Sequence, residues 1–284
     1  MRLDGNKPLV GLAAASHNAV DLTLNSGVQL VIDARELTFA SPLDLTAIVA
    51  AACAARTVSP VTLRVPSNPS VAAYLQRMDV ARRLPSSARI EGSFPSETRA
   101  ELFGSLLEVT PLNTATADDV GARLGRLVTG HFPDTKGRHI FRALGELLDN
   151  AVSHGVSDDG AFVAAQTYTG KTTGSRGFEV AFADTGMGVL AHLRQNPDFA
   201  GLQSAADALA AALLPGVSGA PNERGYGLGD LIDAAAASGD VDFHLRSGDA
   251  GIRVTGSPPS AHAAPLTRRM TIIGTWAWLR VTTS

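Results

Sequence analysis

The segment HIFRALGELLDNAVSHG (residues 139–155) predicts an amphipathic α-helix. Its apolar residues recur at helical spacing and form one stripe, made of Ile140, Leu144, Leu147, Leu148 and Ala151. Another face carries Glu146 and Asn150, which lie one helical turn apart. A carboxylate can polarise an attacking hydroxyl or water, and an amide oxygen can ligate Mg²⁺. An ordinary solvated face has the same composition, so this helix alone does not establish a catalytic site.

A glycine-rich turn follows a later predicted strand. That strand ends at Ala183 and leads into DTGMG (residues 184–188), in which an acidic residue precedes two glycines at alternate positions. Asp184 can accept a hydrogen bond from the exocyclic amine of adenine. Gly186 and Gly188 would let the backbone approach the ring closely, because they lack a Cβ. The turn therefore has the residue types that could contact an adenine ring.

A second glycine-rich segment, NERGYGLGDLIDAAAASG (residues 222–239), predicts the start of another helix. It contains three glycines at alternate positions, Gly225, Gly227 and Gly229, and Gly239 is its stop signal. Backbone amides at such a helix start attract anions such as phosphate. One GxGxG pattern is weak evidence, whereas three motifs in this order and spacing indicate a nucleotide-binding protein.

The segment AQTYTGKTTGSRG (residues 165–177) looks at first like a phosphate-binding loop, because it contains Lys171 within GKT. The Walker pattern would require glycine in place of Ala165, with a strand before the loop and a helix after it. The flanking residues, 161–168 and 178–184, both read as strands instead. The segment therefore predicts a hairpin whose polar residues form a solvated turn.

The first part of the chain predicts a small α/β unit. A strand within residues 27–39 and a second strand at 61–66 alternate with two helices, the second of them over 70–84. Serine, glycine and proline clusters that follow place a boundary near residue 110. The predicted domains are therefore residues 1–110 and residues 111–284.

Composition and charge restrict the function. The 284 residues are 45% hydrophobic and carry a net charge of −3, so nothing in them indicates binding to nucleic acid or to an anionic membrane. No apolar run approaches the roughly 20 residues that span a bilayer, and the N-terminal segment lacks an apolar signal, so we expect a cytoplasmic protein. The single cysteine, Cys53, is expected to be a packing residue, and the scattered histidines do not have the spacing of a structural zinc site.

The three motifs together resemble the GHKL superfamily. This ATP-binding fold is shared by type II topoisomerases, large heat-shock chaperones, histidine kinases, mismatch-repair ATPases and anti-sigma-factor serine kinases. The resemblance covers roughly residues 115–284. It implies a Bergerat α/β sandwich with a mixed, largely antiparallel sheet, helices on one face, and Mg²⁺ and ATP bound between a helix and a lid.

The resemblance also implies roles for individual residues. ELLDN matches the N box, in which Glu146 is the general base and Asn150 binds Mg²⁺. DTGMG matches the G1 box, with Asp184 as the residue that reads adenine beside Gly186 and Gly188. The resemblance therefore identifies Mg²⁺ and ATP as the expected ligands of these side chains.

Two further parts of the nucleotide site follow from the same resemblance. GYGLG matches the glycine-rich box that closes over the phosphates, which makes the expected phosphate contacts Gly225, Gly227 and Gly229. Thr275, before the terminal strand WAWLRV, matches a threonine whose hydroxyl supports the adenine contact. The segment from about residue 190 to this box would be the lid, and Arg224 is expected to reach the terminal phosphate.

The N-terminal unit resembles a STAS domain, the fold of anti-sigma-factor antagonists. Asp33, Phe39 and Ser41 occupy roughly matching places, and the helix starts at Ser41-Pro42. The usual aspartate-serine-serine-glycine run is replaced by ASPLD (residues 40–44). A degenerate STAS-like domain is therefore expected, and the use of Ser41 as a regulatory site is left open.

Two functions of different classes remain. We expect neither histidine-bearing dimerisation helices before the ATP-binding segment nor a transducer domain after it, so the resemblance is greatest to small regulatory ATPases. The first hypothesis is a regulator that hydrolyses ATP or phosphorylates a protein partner on serine or threonine. The second is a non-catalytic scaffold that senses ATP. Glu146 favours the first, because a pure binder needs no base there. The partner's identity and a homodimeric state are left open.

Overall fold

In a computed structural model, the chain is an α/β protein with two β-sheets. The structure describes residues 29–56, 59–96, 104–132, 135–154, 160–170, 176–219, 228–237, 239–255, 262–265 and 271–283. One sheet has three parallel strands, and the other has seven antiparallel strands. No helix in this described part is long and apolar enough to cross a membrane.

The three-stranded sheet belongs to the N-terminal part of the chain. Its elements are β1 (Leu30–Asp33), α1 (Pro42–Ala55), β2 (Val61–Arg64), α2 (Pro69–Arg77), α3 (Val80–Arg83) and β3 (Arg89–Glu91). The strands lie in the order β1-β2-β3 and pair in parallel, as expected when helices connect successive strands. The two strands and the first helix predicted here are confirmed.

The start of α1 is fixed by a capping box. The hydroxyl of Ser41 accepts a hydrogen bond from the backbone N–H of Asp44 at 3.3 Å. The Asp44 carboxylate accepts in return from the backbone N–H and the hydroxyl of Ser41, both at 2.7 Å. Pro42 occupies the first helical turn, where its missing N–H costs nothing. Ser41 is buried, so its hydroxyl has a structural role as a helix cap.

The prediction of one helix over residues 70–84 is wrong, because two helices form there. The chain leaves α2 at Met78, and Asp79 adopts a left-handed conformation with φ of 61° before α3 begins. Aspartate tolerates this conformation better than most residues do. The Met78 carbonyl accepts a hydrogen bond from the N–H of Val109 at 3.0 Å. A tertiary contact thus interrupts the helical pattern.

The seven-stranded sheet contains the remaining strands: β4 (Leu106–Leu112), β5 (Ala161–Tyr168), β6 (Arg176–Asp184), β7 (Asp240–Gly248), β8 (Ala250–Thr255), β9 (His262–Pro265) and β10 (Ile272–Thr283). They lie in the order β4-β5-β6-β10-β7-β8-β9. Every neighbouring pair is antiparallel. The prediction of a mixed sheet is therefore wrong for the described strands, because the last strand inserts between β6 and β7 antiparallel to both.

The hairpin predicted from residues 165–177 is confirmed. β5 and β6 are adjacent and antiparallel, with Ala161 opposite Asp184 and Tyr168 opposite Gly177. Lys171 itself lies outside the described residues. The strand–turn–strand arrangement differs from the strand–loop–helix geometry that a Walker loop needs.

The described part after the N-terminal unit has five α-helices: α4 (Ala117–His131), α5 (Thr135–His154), α6 (Gly188–Leu193), α7 (Ala205–Ala212) and α8 (Leu228–Ala236). A short 3₁₀ helix, Pro197–Phe199, lies between α6 and α7. α5 contacts both α4 and α8. Its predicted apolar stripe, from Ile140 to Ala151, is buried in one hydrophobic core with residues of the large sheet such as Val180 and Phe182. The helix that the sequence identifies first is therefore confirmed, together with the face that it buries.

α1, which belongs to the N-terminal unit, covers the face of the large sheet opposite to the one that packs on α5. The prediction of helices on one face, made for residues 111–284, is confirmed for α4, α5, α7 and α8, which share one core with this sheet. α1 contacts β1 and also β5, β6 and β10, and all its residues are buried. Its core includes Ala181, Ala183 and Trp276 of the large sheet. A helix that is apolar on every side needs cover on every side, which explains this position.

The predicted boundary between residues 110 and 111 falls inside β4. A register shift in this strand places Glu108 between Arg77 of α2 and Arg123 of α4, each at 2.6 Å from its carboxylate. Burial opposes ionisation of Glu108, but the two guanidinium groups more than offset it and lower its pKa to about 2. β4 thus joins the N-terminal helices to the large sheet, and the division into two domains stays a prediction.

Candidate functional site

A cavity of about 160 Å³ lies between the C-terminal half of α5, the ends of β6 and β10, and α6. Four residues that the sequence nominates as site residues line it, and they come from three separate segments: Asn150, then Asp184 and Gly188 of one turn, and Thr275. Its walls are mostly apolar, with Phe182, Leu245 and Ala277 from three strands. A cavity of this kind, with few polar groups among apolar walls, is typical of a small-molecule site.

Asp184 is the acidic group of the cavity. It ends β6, and its Oδ1 accepts hydrogen bonds from the backbone N–H of Gly186 at 2.8 Å and of Thr275 at 3.2 Å. Burial raises the pKa of its carboxyl to about 6, although both N–H groups lower it. Among the described residues that line the cavity, His192 is the only other titratable one. The second carboxylate oxygen, Oδ2, makes no hydrogen bond within the described part.

A bulge in β10 brings Thr275 to this carboxylate. The pairing of β10 with β7 shifts in register between Ile272 and Thr275. Gly274, inside the bulge, has φ of 79°, a conformation that favours glycine. A Cβ at this position would lie 2.1 Å from the backbone oxygen of Asp184 and 2.5 Å from its Oδ1. Glycine is therefore required at position 274, and it allows the backbone N–H of Thr275 to reach Asp184.

The glycines of DTGMG act through the backbone. Gly186 donates its N–H to Asp184, as described above, and Gly188 begins α6 with φ of 76°. A Cβ on Gly188 would lie 2.7 Å from the hydroxyl of Ser247. The sequence predicts that both glycines allow a ligand to approach closely. In the structure, Gly188 lets the turn pack closely on Ser247.

Asn150 and Glu146 both lie on α5. Asn150 is in the last two turns, lines the cavity and is exposed. Glu146 lies one turn earlier in the same helix, and the position of its side chain lies outside what the structure describes. The amide of Asn150 therefore supplies a polar group at the cavity that is open to solvent.

The glycine-rich box is described in part. Arg224, Gly225 and Gly227 lie outside the described residues. Gly229 is in the first turn of α8, where a Cβ would lie 2.7 Å from the backbone oxygen of Leu213. Gly229 is absent from the described cavity lining, so its observed role is close packing of α8 on the preceding segment.

Sequence reasoning missed several lining residues. Met187, which is half exposed, and His192 come from the turn and from α6. Val217 to Gly219 come from the expected lid, and a Cβ on Gly219 would lie 2.4 Å from Nε2 of His192. Two parts of the expected lid thus pack closely together, since α6 contains its first residues. In the sequence, only Gly219 could have suggested its contact with His192, because a single apolar residue or histidine forms no recognisable pattern.

The arrangement suits a flat heteroaromatic group that carries an amine donor. Such a group can insert between apolar side chains and donate to the buried carboxylate of Asp184. No cluster of three His, Cys, Asp or Glu side chains in the described part is placed to hold a metal ion. A divalent cation here would rely on Asn150 and on oxygen atoms of the ligand.

Comparisons with known proteins found no match. No protein-family model matches the chain, and no curated protein and no solved structure matches it. The sequence motifs and the geometry of the cavity are therefore the basis on which a function can be argued.

Proposed function

We propose that this chain binds Mg²⁺ and ATP in the cavity beside Asp184 and acts as a regulatory ATPase or protein serine/threonine kinase of the GHKL type. One observation carries the proposal. Asn150, Asp184, Gly188 and Thr275 were nominated from motifs up to 125 residues apart, and they line one cavity. Unrelated loop residues would have no reason to converge in this way.

Adenine recognition explains the properties of Asp184. The exocyclic amine of adenine donates hydrogen bonds and guanine presents a carbonyl oxygen in the same position, so an ionised carboxylate selects adenine. Oδ1 is held by two backbone N–H groups, which leaves Oδ2 for the ligand. Phe182 and Leu245 supply apolar walls for the ring. Thr275 lies beside the carboxylate, where its hydroxyl can support the same contact.

The triphosphate would be held at the polar mouth of the cavity. Asn150 is the residue that would ligate Mg²⁺ there, and the cation would neutralise phosphate charge when bound. Glu146, one turn earlier on α5, is the proposed general base toward a water or a partner's hydroxyl. Gly225, Gly227 and Arg224 are proposed to contact the phosphates.

ATP sensing without turnover is the second candidate, and the position of α1 favours it. Ala183 and Trp276 precede and follow the site residues Asp184 and Thr275, and both pack in the core that contains α1. A change in these strands on ATP binding would therefore reach the N-terminal unit directly. This unit is proposed to be STAS-like, and the protein is proposed to act on a protein partner in the cytoplasm.

The first test is the affinity of Asp184→Asn for Mg-ATP, measured by calorimetry. Asparagine can present a donor to the amine of adenine, and it removes the charge from the hydrogen bond. We expect the affinity to fall by about tenfold or more, the scale of a lost charge-assisted hydrogen bond.

Glu179→Gln is a matched control for this test. Glu179 is a buried carboxylate on the same strand, but it faces the opposite side of the sheet. We expect its ATP affinity to stay within about twofold of the wild type, because it lies outside the cavity. Equal affinities of wild type and Asp184→Asn would place the adenine site elsewhere and refute the proposal.

The affinity for Mg-ATP should depend on pH. The carboxyl of Asp184 has a pKa raised to about 6 by burial, and only its ionised form is a full acceptor for adenine. Below pH 6 the affinity should fall by up to about tenfold for each pH unit, and above pH 7 this dependence should vanish. Calorimetry at several pH values, with Mg²⁺ in excess, measures it.

Asp184→Asn is the control for the pH series. The phosphates of ATP titrate with both proteins, but residue 184 titrates only in the wild type. The difference between the two pH profiles therefore reports the ionisation of Asp184. Titration of Asp184 does not itself favour acid unfolding, since a carboxyl with a raised pKa makes the fold more stable as the pH falls from 6 toward 3.8. Parallel profiles for the two proteins would contradict the assignment.

A further inference from the structure

Ser247 forms a buried link beside the proposed adenine site. It lies near the end of β7 and is 2% exposed. Its hydroxyl accepts a hydrogen bond from the backbone N–H of Val189 at 2.9 Å and donates one to the backbone oxygen of Gly274 at 3.1 Å. One side chain thus joins β7 to the first turn of α6 and to the bulge of β10.

The hydrogen bond from Ser247 to Gly274 involves the same peptide group that donates a hydrogen bond to Asp184. The carbonyl of this group belongs to Gly274, and its N–H belongs to Thr275 and donates to Oδ1 of Asp184. A peptide group is planar and trans, so its carbonyl and N–H point in opposite directions. Holding the carbonyl on one side therefore aims the N–H at the carboxylate on the other side.

The bond from Val189 fixes the other backbone segment around the carboxylate. Val189 follows Gly188, whose missing Cβ leaves the space that the hydroxyl of Ser247 occupies, at 2.7 Å from the Cβ position. Gly186, two residues before Gly188, supplies the second N–H to Asp184. Both donors to Asp184 thus lie in segments that Ser247 holds.

We propose that Ser247 is a positioning residue of the adenine site, and that its hydroxyl orients the peptide between Gly274 and Thr275 toward Asp184. Its effect on ATP binding rests on the proposed function, whereas its effect on Asp184 does not. Without the hydroxyl, the N–H of Thr275 is no longer aimed, and the ionised carboxylate loses part of its stabilisation.

The direct test is a carbon-13 NMR titration of the Asp184 carboxyl in the ligand-free protein. In Ser247→Ala the titration midpoint should move upward by about half to one pH unit, because a hydrogen bond to the ionised form is weakened. His192 is the only other titratable residue among the described residues lining the cavity, so its ring is followed in the same series.

Ser41→Ala is the matched control. The hydroxyl of Ser41 is also buried, accepts from a backbone N–H and donates to one oxygen, but it caps α1 in the N-terminal unit. This variant should lose stability and keep the midpoint of Asp184 unchanged. An unchanged midpoint in Ser247→Ala, or an equal shift in Ser41→Ala, would overturn the proposal.

Calorimetry with Mg-ATP distinguishes a failure of the Ser247 proposal from a failure of the proposed ATP-binding function. If ATP binds, Ser247→Ala should bind it about three- to tenfold more weakly at pH 7. If the wild type does not bind ATP, the proposed function fails, while the titration still tests the role of Ser247. If Ser247→Ala does not fold, Ser247→Cys is titrated instead, since a thiol is a weaker donor and acceptor. An unchanged midpoint in that variant likewise overturns the proposal.

Discussion

Gly274→Ala is expected to abolish Mg-ATP binding, with a loss of more than about a hundredfold, and to lower the free energy of unfolding by about 2–5 kcal/mol. The added Cβ would lie 2.1 Å from the backbone oxygen of Asp184 and 2.5 Å from its Oδ1. Non-bonded atoms do not approach so closely, so either the end of β6 or the bulge of β10 must move. Both movements displace the carboxylate from the N–H of Thr275.

Part of this cost comes from the backbone alone, because Gly274 has φ of 79°. Gly160→Ala isolates that part, since Gly160 has φ of 83° and nothing lies within 4 Å of its Cβ position. We expect the control to lose about 1–2 kcal/mol of unfolding free energy and to keep its ATP affinity. Urea denaturation and calorimetry on both variants measure the two effects. Similar ATP affinities in the two variants would show that the contact of Gly274 with Asp184 is unimportant for binding.

The secondary structure around the cavity could be predicted because local patterns determine it. α5 has a regular apolar stripe, and β6 carries Phe178, Val180 and Phe182 at alternate positions after a polar turn. These signals depend on residues a few positions apart, which a sequence shows directly. The broken helix at Asp79 and the insertion of β10 between β6 and β7 depend on contacts with distant residues. No local pattern carries that information.

The convergence of the site residues could be anticipated only through the resemblance. Asp184 and Thr275 are 91 residues apart, and their hydrogen bond exists because β6 and β10 are neighbours. Motifs with the right residue types nominated both positions. Ser247 carries no such signal, since a serine near the end of a strand is common. Its importance lies in the peptide group that it holds.

The role of α1 could not be read from its sequence for a related reason. An alanine-rich apolar helix predicts burial, but it does not say which surface buries it. Its partner is the face of the large sheet behind the cavity, where Ala183 and Trp276 lie next to the residues that line the site. Under the proposed function, the N-terminal unit would respond to the nucleotide through these residues. Whether ATP is also hydrolysed or its phosphate transferred depends on Glu146 of α5, the proposed general base.

Glu146→Ala is expected to keep Mg-ATP affinity and to lower ATP turnover or phosphotransfer by about 10²–10⁴, the usual contribution of a positioned general base. The expectation follows from the place of Glu146 on α5, one turn before Asn150, whose side chain lines the cavity. Asp149→Ala is the matched control, since Asp149 is an exposed carboxylate on the same helix and does not line the cavity. It should change neither affinity nor turnover beyond about twofold.

Asn150→Ala should behave differently from Glu146→Ala, because it removes the proposed ligand of the cation. Affinity for Mg-ATP and turnover should then fall together, and affinity measured without Mg²⁺ should change little. The measurements are calorimetry with and without Mg²⁺ and release or transfer of labelled phosphate, alone and with cell lysate. If the wild type binds ATP but turns it over no faster than Glu146→Ala under both conditions, the enzymatic hypothesis is refuted. ATP sensing through the strands that pack on α1 would then be the remaining function.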